Sequence, residues 1–520
     1  MECLSDKSRN RCKSTVAAFL RLLFTQFITG HFRFIQFFCN LFLFASLFSF
    51  YKSILQLIPD QKTNKMSLQN QTLLSSIKPG TKILFANVPA DGHFNPLTGL
   101  AYHLKKQGHD VRWYTSEHYR PKVERLGIPF YPLQKALDIA ADPTTLFPER
   151  EALKSQIAKL NFDIVNVFIK RGPEYYEDIQ SIRQTFAFDL MIADLTFTAI
   201  PFVTDIMKIP VVAVGIVPIT KNSRDLPPAG LGMTPSYSFF GRLKQGILRW
   251  TALNVLFAKS NKIMQQVLGE YGIHTEAESV FDLAVEKANL VLQTGSPGFE
   301  YKRSDLDPKY KFVGALLPHS PKKTTARWTS EKLSLYKKVV LVTQGTVEGD
   351  VNKLMAPTLE AFKDTDVLVI ATTGGNGTED LRKRFTSDNF IIEDFIPFDE
   401  VMPLADVYIT NGGMGGVMLG IQHNLPMVVA GVHEGKNEIT ARIGYFNLGI
   451  NLKTEKPKAA QIRAAVEEVL KNPSYRKNVK KLSKEMASYK PAELCEQYIA
   501  QLLPSRRRRV LEEREPEPIY

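Results

Sequence analysis

Cysteine is scarce in this chain of 520 residues: of four, Cys3, Cys12 and Cys39 fall in the first forty positions and only Cys495 lies in the body. No disulfide framework can form within the body, which favours a reducing compartment. No Cys/His cluster has zinc spacing, and no His-Glu-x-x-His, Walker A or Gly-x-Ser-x-Gly sequence occurs. Those absences set aside zinc-ligand, P-loop and nucleophile-elbow chemistry, and no metal site is expected. No stretch of the body interleaves basic and aromatic residues as a nucleic-acid groove would, so nucleic acid is not an expected partner. The formal charge of +13 is largely peripheral: Lys7, Arg9, Arg11, Lys13, Arg21 and Arg33 crowd one end and Arg506 to Arg509 the other.

Hydrophobic content of 44% and charged content of 23% describe a globular protein long enough for two or more full cores. Residues 1–65 differ from the rest. Residues 34–51 carry no charge and approach the ~20 apolar residues that span a bilayer. Gln36 and Asn40 interrupt the run, its position is late for a signal peptide, and no small-residue cleavage site stands out. Basic residues are denser before the run than after it, which would place the body outside the cytoplasm, an odd setting for a body without disulfides. A membrane anchor, a translated region upstream of a start at Met66 and a dispensable extension all stay open. The expected location is cytoplasmic, with membrane association through residues 34–51 as the alternative.

From Thr81 onward, apolar strands alternate with helical stretches. Strands are expected at residues 82–88, 110–115, 190–193, 210–216 and 289–293. A loop over residues 89–95 leads to Pro96 at the first turn of a helix that stops at Gly108. After a polar linker, strands recur at residues 338–344, 366–371, 389–393, 407–410 and 426–430. The pattern is α/β, with parallel sheets covered by helices on both faces. It divides into an extension 1–65, a first Rossmann-like domain 78–318, a linker 319–330, a second Rossmann-like domain 331–503 and a charged, Pro-rich tail 504–520 expected to be disordered.

The most informative stretch runs over residues 395–437. The strand at 407–410 ends in Asn411-Gly412-Gly413-Met414-Gly415-Gly416 and then turns into a helix. Such a turn leaves helix N-terminal amides free for a phosphate, although it also serves simply to pack a helix on a sheet. The strand at 426–430 leads to a polar loop with His433, Glu434, Lys436 and Asn437. A phosphate cradle beside a loop of hydrogen-bonding side chains suits a nucleotide-sugar.

In the first half, His93 follows the first strand and Asp194 ends another. Strand ends of one parallel sheet converge, so the two can meet, the imidazole as general base and the carboxylate as its orienter. The alternatives are an exposed or structural histidine and an aspartate that caps the following helix.

These residues carry a resemblance. The chain from about Thr81 to Leu503 resembles family 1 glycosyltransferases of the UDP-glucuronosyl/UDP-glucosyltransferase type, and most the bacterial macrolide-glycosyltransferase branch. The matching pieces are Gly92-His93-Phe94-Asn95-Pro96-Leu97, Val313-Gly314, Val342-Thr343-Gln344-Gly345-Thr346, Phe395-Ile396-Pro397, Asn411-Gly412-Gly413 and Leu425-Pro426-Met427. The resemblance implies a GT-B architecture of two facing Rossmann-like domains, the first for the acceptor and the second for the nucleotide-sugar, with a last helix near residues 491–503 crossing back. It implies an inverting, metal-independent transfer from a UDP-sugar co-substrate, with no cofactor, to a hydroxyl of a lipophilic small molecule. His93 and Asp194 would be catalytic. Thr343, Gly345, Thr346, Phe395, Ile396, Asn411, Gly412, Gly413, Met414, Gly415, Gly416, Glu434, Lys436 and Asn437 would bind the donor.

Phe94 and Phe197 are expected on the acceptor side, with Tyr237, Phe239 and Phe240 as further aromatics near loops, any of which can equally be core. Three positions depart from the family pattern. Asn411 stands where a histidine is usual, Leu419 where an acidic residue often contacts ribose, and Gly435-Lys436 where an Asp/Glu-Gln pair reads the sugar, with Glu434 displaced by one. A variant clamp made by Glu434 and Lys436 is expected. The alternatives are a weakly active or inactive binding protein on this fold and a membrane-associated enzyme acting on a lipid.

Overall fold

The computed structural model describes residues 77–140, 146–319, 328–345, 348–433 and 435–503. The expected extension, most of the linker and the tail lie outside them.

The first sheet has seven parallel strands: β1 (Lys82–Ala86), β2 (Asp110–Thr115), β3 (Phe130–Pro132), β4 (Leu190–Asp194), β5 (Val211–Gly215), β6 (Leu290–Thr294) and β7 (Tyr310–Gly314), in the order 3-2-1-4-5-6-7. The second has six: β8 (Lys338–Thr343), β9 (Val367–Thr372), β10 (Phe390–Glu393), β11 (Val407–Thr410), β12 (Met427–Val429) and β13 (Gly449–Asn451), in the order 10-9-8-11-12-13. Register is direct, with Phe85 opposite Trp113 and Ile192 in the first sheet and Thr343 opposite Thr410 in the second.

Alternation along each strand fills two faces. Ile83, Phe85, Ile192 and Val214 pack with Leu97, Leu100 and Leu104 of the Asp91–Lys106 helix, while Leu84, Ala86, Met191 and Ala213 pack with Ile179 and Val203 on the other side. The second sheet does the same: Leu341, Ile370 and Val429 meet Val417 and Ile439, whereas Val340, Val342 and Ile409 meet Leu359 and Val466. Each fully buried aliphatic side chain contributes roughly 1.5–3 kcal/mol, so both faces of both sheets must be covered.

The chain closes on itself through the Pro491–Leu502 helix, which packs on the Asp91–Lys106 helix and on β6 and β7. Its Cys495 and Ile499 sit in the first half's core, and burial pushes the Cys495 thiol well above the ordinary range. Glu496 of the same helix meets His103 at 2.7 Å.

One expectation is corrected. The helix after β1 begins at Asp91, so residues 91–95 are helical and Pro96 lies inside. The amides of His93 and Phe94 both bond the Ala90 carbonyl at 2.9 Å. Proline forfeits only the bond to the carbonyl four residues earlier, a modest loss so near the start of a helix. His93 therefore stands on a fixed helical turn rather than on a loop.

Candidate active site

In each sheet the strand order reverses once, between β1 and β4 in the first and between β8 and β11 in the second. Chains diverging from such a point leave a crevice at the carboxyl ends of the strands. His93 and Asp194 lie at the first of these points, and Thr343, Gly345 and residues 411–416 at the second.

At the first, His93 Nδ1 stands 3.0 Å from Asp194 Oδ1 and 3.0 Å from Thr196 Oγ1. Asp194 is fully buried, and its carboxylate accepts the amides of Val88 (2.8 Å) and Thr196 (2.9 Å) and the Thr196 hydroxyl. That network sets the tautomer. Two lone-pair-bearing oxygens face Nδ1, so Nδ1 carries the hydrogen and donates it. Nε2 is then the basic nitrogen, on a ring that keeps 22% of its surface exposed. The capping alternative is not realised: the following helix, Ile200–Asp205, is entered through Ala199 with no side-chain cap, and Asp194 holds the Thr196 amide of the turn before it.

At the second point, Gly412 has φ 81°, and a Cβ there would come within 2.4 Å of Thr440 Cγ2. Only glycine takes this left-handed, crowded corner cheaply. Gly413 then caps the Met414–Gln422 helix, whose first turn holds no acidic residue. The leading amides of this helix have no intrahelical acceptor and carry its positive end. A Cβ at Gly415 would meet nothing within 4 Å, whereas one at Gly416 would press on Tyr408 Oη at 3.0 Å. Gly415 thus faces open space and Gly416 seats the helix on β11. The Met414–Gln422 helix in turn touches the Asp91–Lys106 helix, bringing the glycine turn and His93 onto neighbouring elements.

The remaining candidates divide. Thr343 ends β8 buried and accepts the Gly345 amide, and Gly345 turns beside Asn411. Phe395 is 74% exposed, while Ile396 is buried. Lys436 is the first residue of the Lys436–Tyr445 helix, capped by Gly435. Thr346 and Glu434 lie outside the described residues.

Four of the candidates make contacts within the protein. Phe94 is buried between Trp113 and Tyr119, at 4.6 Å from each ring, and Phe197 is buried against Tyr175 at 4.7 Å. Both are packing residues, because a large ring beside a sheet edge gains more from burial than from exposure. The Asn411 amide donates to the Gln344 carbonyl and its oxygen accepts from Gly413, so it braces the turn internally. The Asn437 amide donates to the Gly230 carbonyl of the first half at 2.7 Å.

Several contributors escaped sequence reading. A second glycine loop, Thr373 to Gly377 after β9, places Gly375 against Phe395, with a Cβ there 3.6 Å from the ring. Its Thr-Gly-Gly-Asn-Gly composition directly after a strand was the available signal. Glu455 holds the amides of Val432 and His433. Across the halves, the fully buried Arg442 bonds Glu300 at 2.9 Å and Glu438 at 3.1 Å and lies 4.2 Å over the Tyr301 ring. Burial opposes its charge, and the two carboxylates outweigh that and raise its pKa. Glu438 also accepts the amides of Gly230 (2.9 Å) and Gly232 (2.8 Å).

Residues 356–501 match the family described as erythromycin biosynthesis protein CIII-like, C-terminal domain. The chain is 34% identical over 411 residues to 4'-demethylrebeccamycin synthase of Lentzea aerocolonigenes, spanning 79% of this chain and 96% of that one. It is 31% identical over 441 residues to UDP-glucosyltransferase 1 of Beauveria bassiana, spanning 80% and 94%. Among solved structures it is similar to a glycosyltransferase of kitacinnamycin (TM-score 0.64, 19% identity, 82% of this chain and all of the other). It is similar also to the calicheamicin glycosyltransferase CalG4 (TM-score 0.63, 22% identity, 82% and all). These structures share the GT-B fold, two Rossmann-like domains with parallel sheets. The chain belongs to family 1 of the glycosyltransferases and is an enzyme of the UDP-glycosyltransferase type.

Proposed function

We propose that this enzyme moves a sugar from a UDP-sugar to a hydroxyl of a lipophilic small molecule, with inversion and without a metal ion. Residues 78–318 hold the acceptor and residues 331–503 the donor. The observation that carries the reading is the His93–Asp194–Thr196 network, which leaves Nε2 basic at the crevice of the first sheet. The acceptor hydroxyl gives its proton to Nε2 as its oxygen bonds the anomeric carbon from the face opposite the diphosphate. The bond from that carbon to the diphosphate oxygen breaks, and an α-linked donor yields a β-glycoside. Asp194 holds the imidazolium formed in the step. The helix amides that follow Gly413 take the growing charge on the departing diphosphate, the task a metal performs elsewhere. Phe395, an exposed ring, would take the base, and Lys436, the first residue of its helix, would meet the sugar.

Thermal shift across a panel of nucleotide-sugars tests the donor: one present at 100 times its Kd stabilises by about 2.7 kcal/mol. UDP-sugars are expected to shift the melt and turnover to survive EDTA. A panel in which only dTDP-sugars shift it, or turnover abolished by EDTA and restored by Mg²⁺, would contradict the reading.

A further inference from the structure

A soluble helix normally buries its apolar face. The Phe239–Thr251 helix does the reverse: its one fully buried side chain is Gln245, bonded to Ser236 and Asp225 backbone. Phe239 (78% exposed), Phe240 (79%), Leu243 (56%), Ile247 (60%) and Trp250 (63%) face outward. At 3.6 residues per turn these five fall within an arc of about 100°, opposite Gln245. The five span roughly 17 Å of helix axis, and the helix continues through a wider turn, Ala252–Leu256, where Val255 is also exposed.

Charge supplies a second, independent observation. Between Asp225 and Glu270 no carboxylate side chain occurs, while Arg242, Lys244, Arg249, Lys259 and Lys262 do. Arg242 and Lys244 flank the apolar arc on opposite sides, and both are exposed, as are Lys259 and Lys262 on the next helix. Arg242 approaches Asp225 at 3.5 Å and Arg249 bonds the Leu226 carbonyl, so the flank is partly anchored and still net positive.

We propose that this face docks on an anionic lipid surface, with the helix lying in the plane of the headgroups. A Phe/Leu/Ile/Trp edge between two cationic flanks is the pattern of an interfacial helix, in which apolar side chains enter the acyl boundary and cations meet lipid phosphates. The indole of Trp250 suits the same depth, apolar in body and polar at its N–H. A second copy fits less well, because pairing the edge with itself brings like-charged flanks together. No helix among the described residues is long and apolar enough to cross a membrane, so this one lies on the surface.

The test is co-flotation of the full chain with vesicles of phosphatidylcholine alone or mixed with phosphatidylglycerol, at low and high salt. The wild type is expected to float with the mixed vesicles at low salt and to be released by salt. The triple variant Leu243→Gln/Ile247→Gln/Trp250→Gln is expected to lose at least about tenfold in partitioning while melting cooperatively. Lys244→Glu/Lys259→Glu, at exposed positions, is expected to lose several-fold and decides the matter if the triple variant fails to fold. Failure of the wild type to float would overturn the proposal, as would undiminished flotation of both variants, which would place lipid binding elsewhere in the chain. A wild-type dimer that the triple variant dissociates, with neither protein floating, would assign the face to a second copy instead.

Discussion

Removing the Arg442 guanidinium should loosen the two halves from each other. The side chain is 1% exposed, and its carboxylate partners Glu300 and Glu438 are 8% and 13% exposed. Breaking a buried ion pair from one side costs about 3–5 kcal/mol, because the orphaned charge stays desolvated. Here the lower part of that range applies. Glu300 keeps the Ile219 amide, and Glu438 keeps those of Gly230 and Gly232. A loss of about 3 kcal/mol in Arg442→Ala, at about 2–4 °C per kcal/mol for a domain of this size, lowers Tm by roughly 6–12 °C. Differential scanning calorimetry should also show the single transition broadening or splitting as the halves uncouple. Neutralising all three members, Arg442→Met/Glu300→Gln/Glu438→Gln, should recover most of the loss, since no buried charge is then unpaired. An alanine variant within about 1 kcal/mol of wild type, or a triple variant as unstable as the single one, would refute the reasoning.

Three further outcomes are expected. Gly412→Ala forces a side chain into a left-handed corner against Thr440, at a cost of about 1–3 kcal/mol, and should weaken nucleotide-sugar affinity measured by calorimetry more than it lowers Tm. His109 is buried, and desolvation holds its pKa below 6.5 against the opposing pull of Glu496. The unfolded chain therefore binds the proton more readily, so stability should fall as pH drops below about 6.5, and His109→Phe should flatten that part of the profile in urea melts. Asp194→Asn exchanges an accepting carboxylate oxygen for an N–H₂ donor, upsetting the acceptor set that fixes the tautomer of His93, and should lower kcat about 10²–10⁴-fold with a smaller change in KM.

Much of the fold was legible because buried parallel strands are continuous apolar runs, and most of the expected strands coincide with observed ones. The strands missed, β3, β7 and β13, are short or polar at one end, as in Gly449-Ile450-Asn451, and pairing rather than composition makes them strands. The His93–Asp194 meeting was legible because both lie at strand ends of one sheet. Thr196 was not, since its role comes from a turn that returns its hydroxyl to Asp194. Whether Phe94 and Phe197 face an acceptor or the core was left open, because a sequence gives no direction to a ring near a sheet edge. Arg442 and Glu300 stand 142 residues apart on different halves, a pairing that only tertiary packing creates.

The central claim is that His93 takes the acceptor's proton opposite a donor cradled at Gly413. It is tested most directly by acceptor-dependent release of UDP from a UDP-sugar, followed for wild type and His93→Ala in parallel. The account predicts turnover in the wild type and a loss of about 10²–10⁴-fold in the variant, with donor affinity intact. Equal turnover in the two proteins would contradict it.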